Sequence, residues 1–382
     1  MLKKVSMKKT KVWGFIILLS LIVFACSTSD DGGGTSEETS DNFNRSAMLI
    51  NWADNIIIPA YTAFNADVAV MVQASSVFTE TPSEANLQNL RSAWKDAYVS
   101  FQSVSVFEIG KAEELNFRNR LNVYPTDVTS IEKNVSNNTY NFSLPSNIAI
   151  QGFPAIDYLI NGLAGTDAEI VAFYNSESTA TGYNGYLNEL TNTVLELSTT
   201  VLNDWEGSYR STFVAGTSSS ATGSVDKLVN DFLFYYEKSL RAGKIGIPAG
   251  VFSVDPLPEK VEALYSKEIG KELLLAAITA SQNFFNGKSF TSVSEGESLK
   301  SYLDFLNTIK NGDDLSTLIN NQFEISKTKA AELGNDLALQ VTTDNSKMTE
   351  TYDELQRNVI LLKVDMLQAL SINVDFVDAD GD

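Results

Sequence analysis

One stretch of the chain, residues 151–162, combines a helix start with a carboxylate that is able to do chemistry. Gly152 and Pro154 predict a helix that begins there, with Pro154 at its first or second position. Asp157 then lies in the first turn or just beyond it, near the positive end of the helix macrodipole. Two interpretations stay open: Asp157 is a ligand for a hard cation in a cleft, or it is an acidic residue that stabilises its own helix.

Oxygen atoms are the main candidate ligands for a cation, because the chain contains no histidine and its single cysteine is Cys26. Zinc favours His nitrogen and thiolate, whereas carboxylates suit iron(III), calcium or magnesium. This composition argues against a zinc peptidase, excludes catalysis by Ser-His-Asp or Cys-His systems, and leaves no residue that we assign as catalytic. An oxygen-ligated cation, iron or calcium, at Asp157 would need further acids, and we predict Glu108 and Asp127 for that role.

The extreme C-terminus is a second candidate for cation binding. Asp378, Asp380 and Asp382 have the D-x-D-x-D spacing of the first half of an EF-hand loop. The glycine and glutamate that complete such a loop are missing. The spacing therefore predicts either a weak calcium site or, as the favoured interpretation, an acidic frayed tail.

A glycine-rich loop at 241–250 follows a strongly apolar helical stretch and has two basic residues at its start. Arg241 and Lys244 could bind an anion or a carboxylate ligand in a cleft between bundles. The favoured interpretation is structural: Gly243 ends the helix as a C-cap, and the basic residues lie at the negative end of the helix dipole.

The N-terminus resembles an export signal. Lysines precede an apolar run at 12–25, which is shorter than the about 20 residues of a membrane span. The run ends in a pattern that resembles a bacterial lipobox, so we predict a signal peptide over 1–25 and a lipid on Cys26. Residues 26–45 are rich in Gly, Ser and acids and predict a flexible tether. We expect an outer-membrane lipoprotein that faces the periplasm or the cell surface, with an export signal of the Bacteroidetes type.

Helical periodicity dominates the remainder of the chain. Apolar residues recur every three or four positions, and alternating strand patterns are scarce. Clear examples are Leu87, Leu90, Trp94, Ala97, Phe101 and Val104, and then Met348, Tyr352, Leu355, Val359, Leu362, Met366 and Leu370. We predict an all-α fold of two packed antiparallel helical bundles, 46–206 and 224–382, which a polar connection at 207–223 joins.

The segment Gly152-Phe153-Pro154-Ala155-Ile156-Asp157 resembles the G-x-H-x-x-E signature of the imelysin family, also known as the peptidase M75 or iron-regulated protein A group. Proline stands at the histidine position and aspartate at the glutamate position. Further stretches that resemble the family are 52–61, 91–94, 122–127, 243–250 and 373–382. The resemblance implies two helical bundles, a proposed metal-binding role at Asp157 and a connection with iron acquisition.

The expected function is that of a non-enzymatic binding or accessory protein in iron or haem uptake. Two alternatives stay open: M75-type hydrolysis of peptides, and an envelope interaction module without a small-molecule ligand. Expected partners are the membrane, through Cys26, and envelope proteins of iron or haem uptake. Nucleic acid is excluded as a partner because the formal net charge is −20.

Overall fold

Helices account for nearly all regular structure in residues 42–376, which are the residues that the computed structural model describes. The predicted lipid acceptor Cys26 lies outside this range, and so do the three C-terminal aspartates Asp378, Asp380 and Asp382. The described residues belong to one compact unit. The all-α prediction is confirmed.

The helices follow one another along the chain, with longer connections at 247–269 and 287–298. In the first half of the chain they are α1 (Arg45–Ile50), α2 (Ile58–Glu80), α3 (Glu84–Val104), α4 (Lys111–Glu114), α5 (Phe117–Leu121), α6 (Val128–Asn137), α7 (Gly152–Asp157), α8 (Asp167–Asn175) and α9 (Ala180–Asp204). In the second half they are α10 (Arg210–Ala215), α11 (Ser224–Phe234), α12 (Gly270–Asn286), α13 (Leu299–Phe305), α14 (Leu315–Ala331), α15 (Leu337–Thr343), α16 (Ser346–Ile360) and α17 (Leu367–Leu370).

Other regular elements are short or extend these helices. The π-helical segments are Asn51–Ile57, Tyr158–Gly162, Trp205–Tyr209, Tyr235–Gly246 and Leu361–Met366. The 3-10 turns are Pro145–Ile150 and Pro258–Lys260. Two strands, β1 (Ile309–Lys310) and β2 (Asp313–Asp314), pair antiparallel.

The first group of helices packs around α2, which contacts both α3 and α9. A connection at 81–83 joins α2 to α3, so these two helices are antiparallel neighbours. The helical run Arg45–Glu80 is long and apolar enough to cross a membrane. Its Phe64 and Met71 are nevertheless completely buried among the neighbouring helices, as expected of a core helix.

The second group consists of α12, α14, α16 and the π-helical segment Tyr235–Gly246, which pack against one another. Aromatic rings fill its centre: Tyr236 meets Phe323 edge to face at 5.6 Å, and Phe285 lies 6.2 Å from Phe323. Burial of such rings is a major source of stabilisation in helical cores.

Several contacts join the two groups. Helix α12 packs on α3, and the ring of Phe284 lies 5.0 Å from Trp52 and 5.3 Å from Phe107. The predicted polar connection at 207–223 contains α10, whose Phe213 is buried against Trp205. The domain boundaries drawn from the sequence stay predictions.

Pro59 explains how the first long helix holds a distant loop. Proline has no N–H, so the carbonyl oxygen of Asn55 loses its helical partner. The backbone N–H of Phe290 donates to that oxygen instead, at 2.8 Å. The side chain of Asn51 donates to the carbonyl oxygens of Gly287 and Glu297 at 3.0 and 3.1 Å. These bonds fasten the 287–297 loop beside α12.

Candidate functional site

The signature turn depends on glycine at position 152. Gly152 has φ +75°, and a Cβ atom there would lie 2.2 Å from the carbonyl oxygen of Leu121. Only glycine fits such a close approach of two backbones. Helix α7 begins at Gly152, so Pro154 is its third residue and not the first or second, as the sequence predicted.

Phe153 has a structural role in the buried centre of the first helix group. Its ring stacks on that of Tyr98 with a centroid distance of 4.5 Å and an interplanar angle of 6°. Its carbonyl oxygen accepts a hydrogen bond from the indole N–H of Trp94 at 3.2 Å. Phe153 therefore anchors the signature helix to α3.

Asp157 is 1% exposed and lies where the signature helix meets residues 261–266. Oδ2 accepts a hydrogen bond from the backbone N–H of Tyr265 at 2.9 Å, and Oδ1 accepts one from the Asn161 side chain at 2.9 Å. Burial raises the pKa of Asp157 to about 7, although the hydrogen bonds act in the opposite direction. Asp157 is the sixth residue of α7, so its carboxyl group joins two segments and does not cap its own helix.

The predicted additional ligands are not hydrogen-bonded to Asp157. Glu108 forms an ion pair with Arg118 at 3.1 Å. Asp127 caps α6, where its carboxylate accepts bonds from the backbone N–H and the hydroxyl of Ser130. In the part of the chain that the structure describes, no group of three or more His, Cys, Asp or Glu residues could hold a metal ion.

The space beside Asp157 is also small. A cavity of about 10 Å³ lies there, which is roughly the space that one water molecule needs. Pro154 in its wall offers no donor atom for a metal, and both oxygens of Asp157 already accept hydrogen bonds. The residues at the signature therefore do not fit the metal centre that the family resemblance implies.

A buried ion pair lies close to the signature. Lys244 donates to Oε2 of Glu262, and both side chains are at most 3% exposed. The side chain of Asn122 donates to Oε1 of Glu262 at 2.7 Å, and the hydroxyl of Tyr98 donates to Oδ1 of Asn122 at 2.5 Å. Burial lowers the pKa of Lys244, although Glu262 acts in the opposite direction. Sequence reasoning missed Glu262, because no motif marks it.

Three stretches that resembled the family meet at this network. Asn122 starts one, Lys244 belongs to the second, and the ring of Phe153 in the signature stacks on Tyr98. Residues 261–266 contact both Lys244 and the signature, since Glu262 pairs with Lys244 and the N–H of Tyr265 donates to Asp157. The structure thus brings Asp157 and Lys244 to the same short segment.

Arg241 lies elsewhere, and the helix continues past it. The π-helical segment Tyr235–Gly246 runs through Gly243, so the predicted C-cap at Gly243 is wrong. Arg241 donates to the hydroxyl of Tyr352 at 3.0 Å, and its guanidinium lies 5.3 Å from that ring. This cation–π contact holds the helix against α16.

A large groove lies between α3 and α12. Its volume is about 890 Å³, and the loop that Asn55 and Asn51 fasten closes one side. Apolar side chains from both helix groups line it, with charged residues among them: Val99, Phe107, Leu275, Phe290, Lys271 and Glu272. Lys95 pairs with Glu272 at 2.9 Å and links α3 to α12. No residue of α7 lines this groove.

Two solved structures of other proteins have a fold similar to that of this chain. A crystal structure of an imelysin-like protein from Psychrobacter arcticum matches with a TM-score of 0.66 at 16% identity, over 87% of this chain and 97% of that one. The structure of an iron-regulated protein A precursor from Parabacteroides distasonis also gives 0.66, at 18% identity, over 84% and 95%. These similarities show a shared helical fold.

Sequence comparison adds the family. Iron-regulated protein A of Synechococcus elongatus is 26% identical over 76 residues, which span 20% of this chain and 21% of that relative. The match thus spans about a fifth of the curated relative. The family model described as Imelysin, Peptidase_M75, matches residues 57–362, which is well over half of the chain. This chain belongs to the imelysin family.

Proposed function

We propose that the protein acts by binding, without catalysis, as an iron-related accessory protein of the cell envelope. The observation that carries this proposal is the state of Asp157. Both of its oxygens accept hydrogen bonds from N–H donors, and proline stands where the family has histidine. Asp157 thus joins two segments, and no group of described residues beside it resembles a hydrolytic metal centre.

The iron-related part of the proposal is supported by the relatives. The Synechococcus relative and the Parabacteroides structure are both named for iron regulation. The name of the second includes the word precursor, which agrees with an exported protein. With the predicted signal peptide and lipidated Cys26, we propose an outer-membrane lipoprotein.

The groove between α3 and α12 is the proposed binding site. Sites for small molecules typically occupy about 300–1,000 Å³ and combine apolar walls with a few polar groups. The groove has a volume in this range, and its charged residues are Lys271, Lys288, Glu268 and Glu272. We propose haem or an iron chelate as its ligand. M75-type peptidase activity is the alternative that the family name suggests, and no side chain at the signature supports it.

A variant that fills the groove tests this proposal. Ala276 lines the groove and is half-buried, so Ala276→Trp should block the groove without disturbing the core. Ala69→Trp, at an exposed position of α2, is the matched control. We expect haem or ferric citrate to bind to the wild type and to Ala69→Trp, and binding to Ala276→Trp to be at least about tenfold weaker.

Growth of a deletion strain under iron limitation provides the second readout. Wild type and Ala69→Trp should restore growth, and Ala276→Trp should not. If neither probe binds and the deletion strain grows normally under iron limitation, the binding role is wrong and an envelope interaction module becomes the better interpretation. Zinc-dependent peptidase activity of the purified protein would favour the enzyme instead.

A further inference from the structure

A second cavity lies on the other side of α3 from the groove, and we call it the basic pocket. Its volume is about 350 Å³. Among the described residues 42–376, four cationic side chains line it and no carboxylate does: Arg118, Lys238, Lys244 and Lys260. This is unusual for a chain with 48 acidic and 28 basic residues.

The counter-ions of these cations lie outside the lining. Arg118 pairs with Asp231 at 2.9 Å and also with Glu108. Lys244 pairs with Glu262. Lys260, in the 3-10 turn Pro258–Lys260, is half-buried and has no ion pair within the described residues 42–376. No carboxylate of the described residues therefore competes with a ligand for Lys260.

The wall beside Lys238 is rich in charged groups. Glu237 is 2% exposed and contacts three cations: Lys238 at 2.8 Å, Lys363 at 2.9 Å and Arg241 at 3.8 Å. Charges in a partly buried cavity are screened less than charges at the surface.

Two tyrosine residues of the lining supply polar groups. The hydroxyl of Tyr235 is buried and has no hydrogen-bond partner of normal geometry among the described residues, which is destabilising for a donor that has left water. The ring of Tyr235 lies 5.3 Å from the guanidinium of Arg118. Tyr124 is half-buried in the same lining. An anion in the pocket would give these hydroxyl groups an acceptor.

We propose that the basic pocket binds a small molecule that carries a carboxylate or phosphate group, with Lys260 as its principal cation. The remaining walls are apolar and suit the body of such a ligand: Phe101, Val123, Phe234 and Ile247. A lysine ammonium acts as a point charge, so the pocket accepts either oxyanion. The basic pocket and the groove share no lining residue, so this proposal goes beyond the proposed function and does not depend on it.

Calorimetric titration at constant ionic strength tests the proposal. Citrate and inorganic phosphate are the two probes, and the one that binds identifies the class of oxyanion. Lys260→Gln removes the unpaired charge and should weaken binding about ten- to hundredfold, as expected for a hydrogen bond to a charged group. Lys133→Gln, at an exposed lysine of α6, is the matched control and should bind like the wild type.

Tyr235→Phe separates binding from folding. We expect this variant to bind the probe more weakly while its thermal unfolding midpoint does not fall, because the hydroxyl loses no partner. Circular dichroism confirms that each variant is folded. Absence of binding for both probes would overturn the proposal, and so would equal affinities of Lys260→Gln and Lys133→Gln.

Discussion

Asp157 and Glu262 are both 1% exposed, yet their surroundings differ. Asp157 accepts hydrogen bonds from neutral N–H donors only, and burial raises its pKa to about 7. Glu262 lies against the ammonium group of Lys244 and also accepts a bond from Asn122. Two buried carboxylates beside one short segment thus differ in their partners: Glu262 forms a direct ion pair, whereas Arg91 lowers the pKa of Asp157 only through its charge.

Removal of Lys244, the cation beside Glu262, should have the largest effect on stability. In Lys244→Ala, Glu262 stays buried without its counter-ion, and we expect a loss of about 3–5 kcal/mol in the free energy of unfolding. Urea denaturation measures it. The double variant Lys244→Met and Glu262→Gln should recover most of the loss, because no charge is left unpaired. A loss below about 1 kcal/mol in the single variant would contradict the ion pair.

The pH dependence of stability should reveal the protonation of Asp157. Its pKa is about 7 in the folded protein and about 4 in the unfolded chain, so the folded state holds a proton that the unfolded chain releases. Stability should therefore decrease by up to about 4 kcal/mol as the pH rises from about 4 to 7.

Asp157→Asn should abolish this part of the slope, which unfolding curves at pH 5 and pH 8 measure. The difference between variant and wild type isolates Asp157, because the other titrating groups are common to both. Parallel pH profiles for the two proteins would show that Asp157 is ionised throughout.

Asp127 should show the smallest effect, since it is an exposed N-cap and not part of the buried network. Its bonds with Ser130 lower its pKa. Asp127→Ala should cost about 1 kcal/mol of stability, while Asp127→Asn keeps an acceptor and should cost less. A calorimetric titration with Ca²⁺ or Fe³⁺ that Asp127→Ala alters would instead revive its predicted role as a ligand.

Local sequence patterns were sufficient for the architecture. The spacing of Leu87, Leu90 and Trp94 predicts the buried face of α3, and all three are at most 2% exposed. The helix start at Gly152 was also predictable, because glycine and proline restrict the backbone locally. The predicted position of Pro154 in the first turn was wrong by one or two residues, since helix boundaries depend on tertiary contacts.

The network around Glu262 could not be predicted. Its partner Lys244 is 18 residues away, and Asn122 is 140 residues away. The sequence marks Gly243 as a helix end, yet the helix continues as a π-helix to Gly246. Gly243 misled the prediction because a glycine permits a helix end without requiring one.

By itself the sequence determined two properties of this protein: its helical fold, through the three-and-four spacing of apolar residues, and the atoms that its side chains can offer a metal, through the lack of histidine. Tertiary structure alone decided which charges are paired. Asp157 meets N–H donors, Glu262 meets Lys244, and Lys260 meets no anion in the described residues. The physical reason is that the state of a buried charge depends on atoms within a few ångströms, and folding brings those atoms from distant parts of the chain.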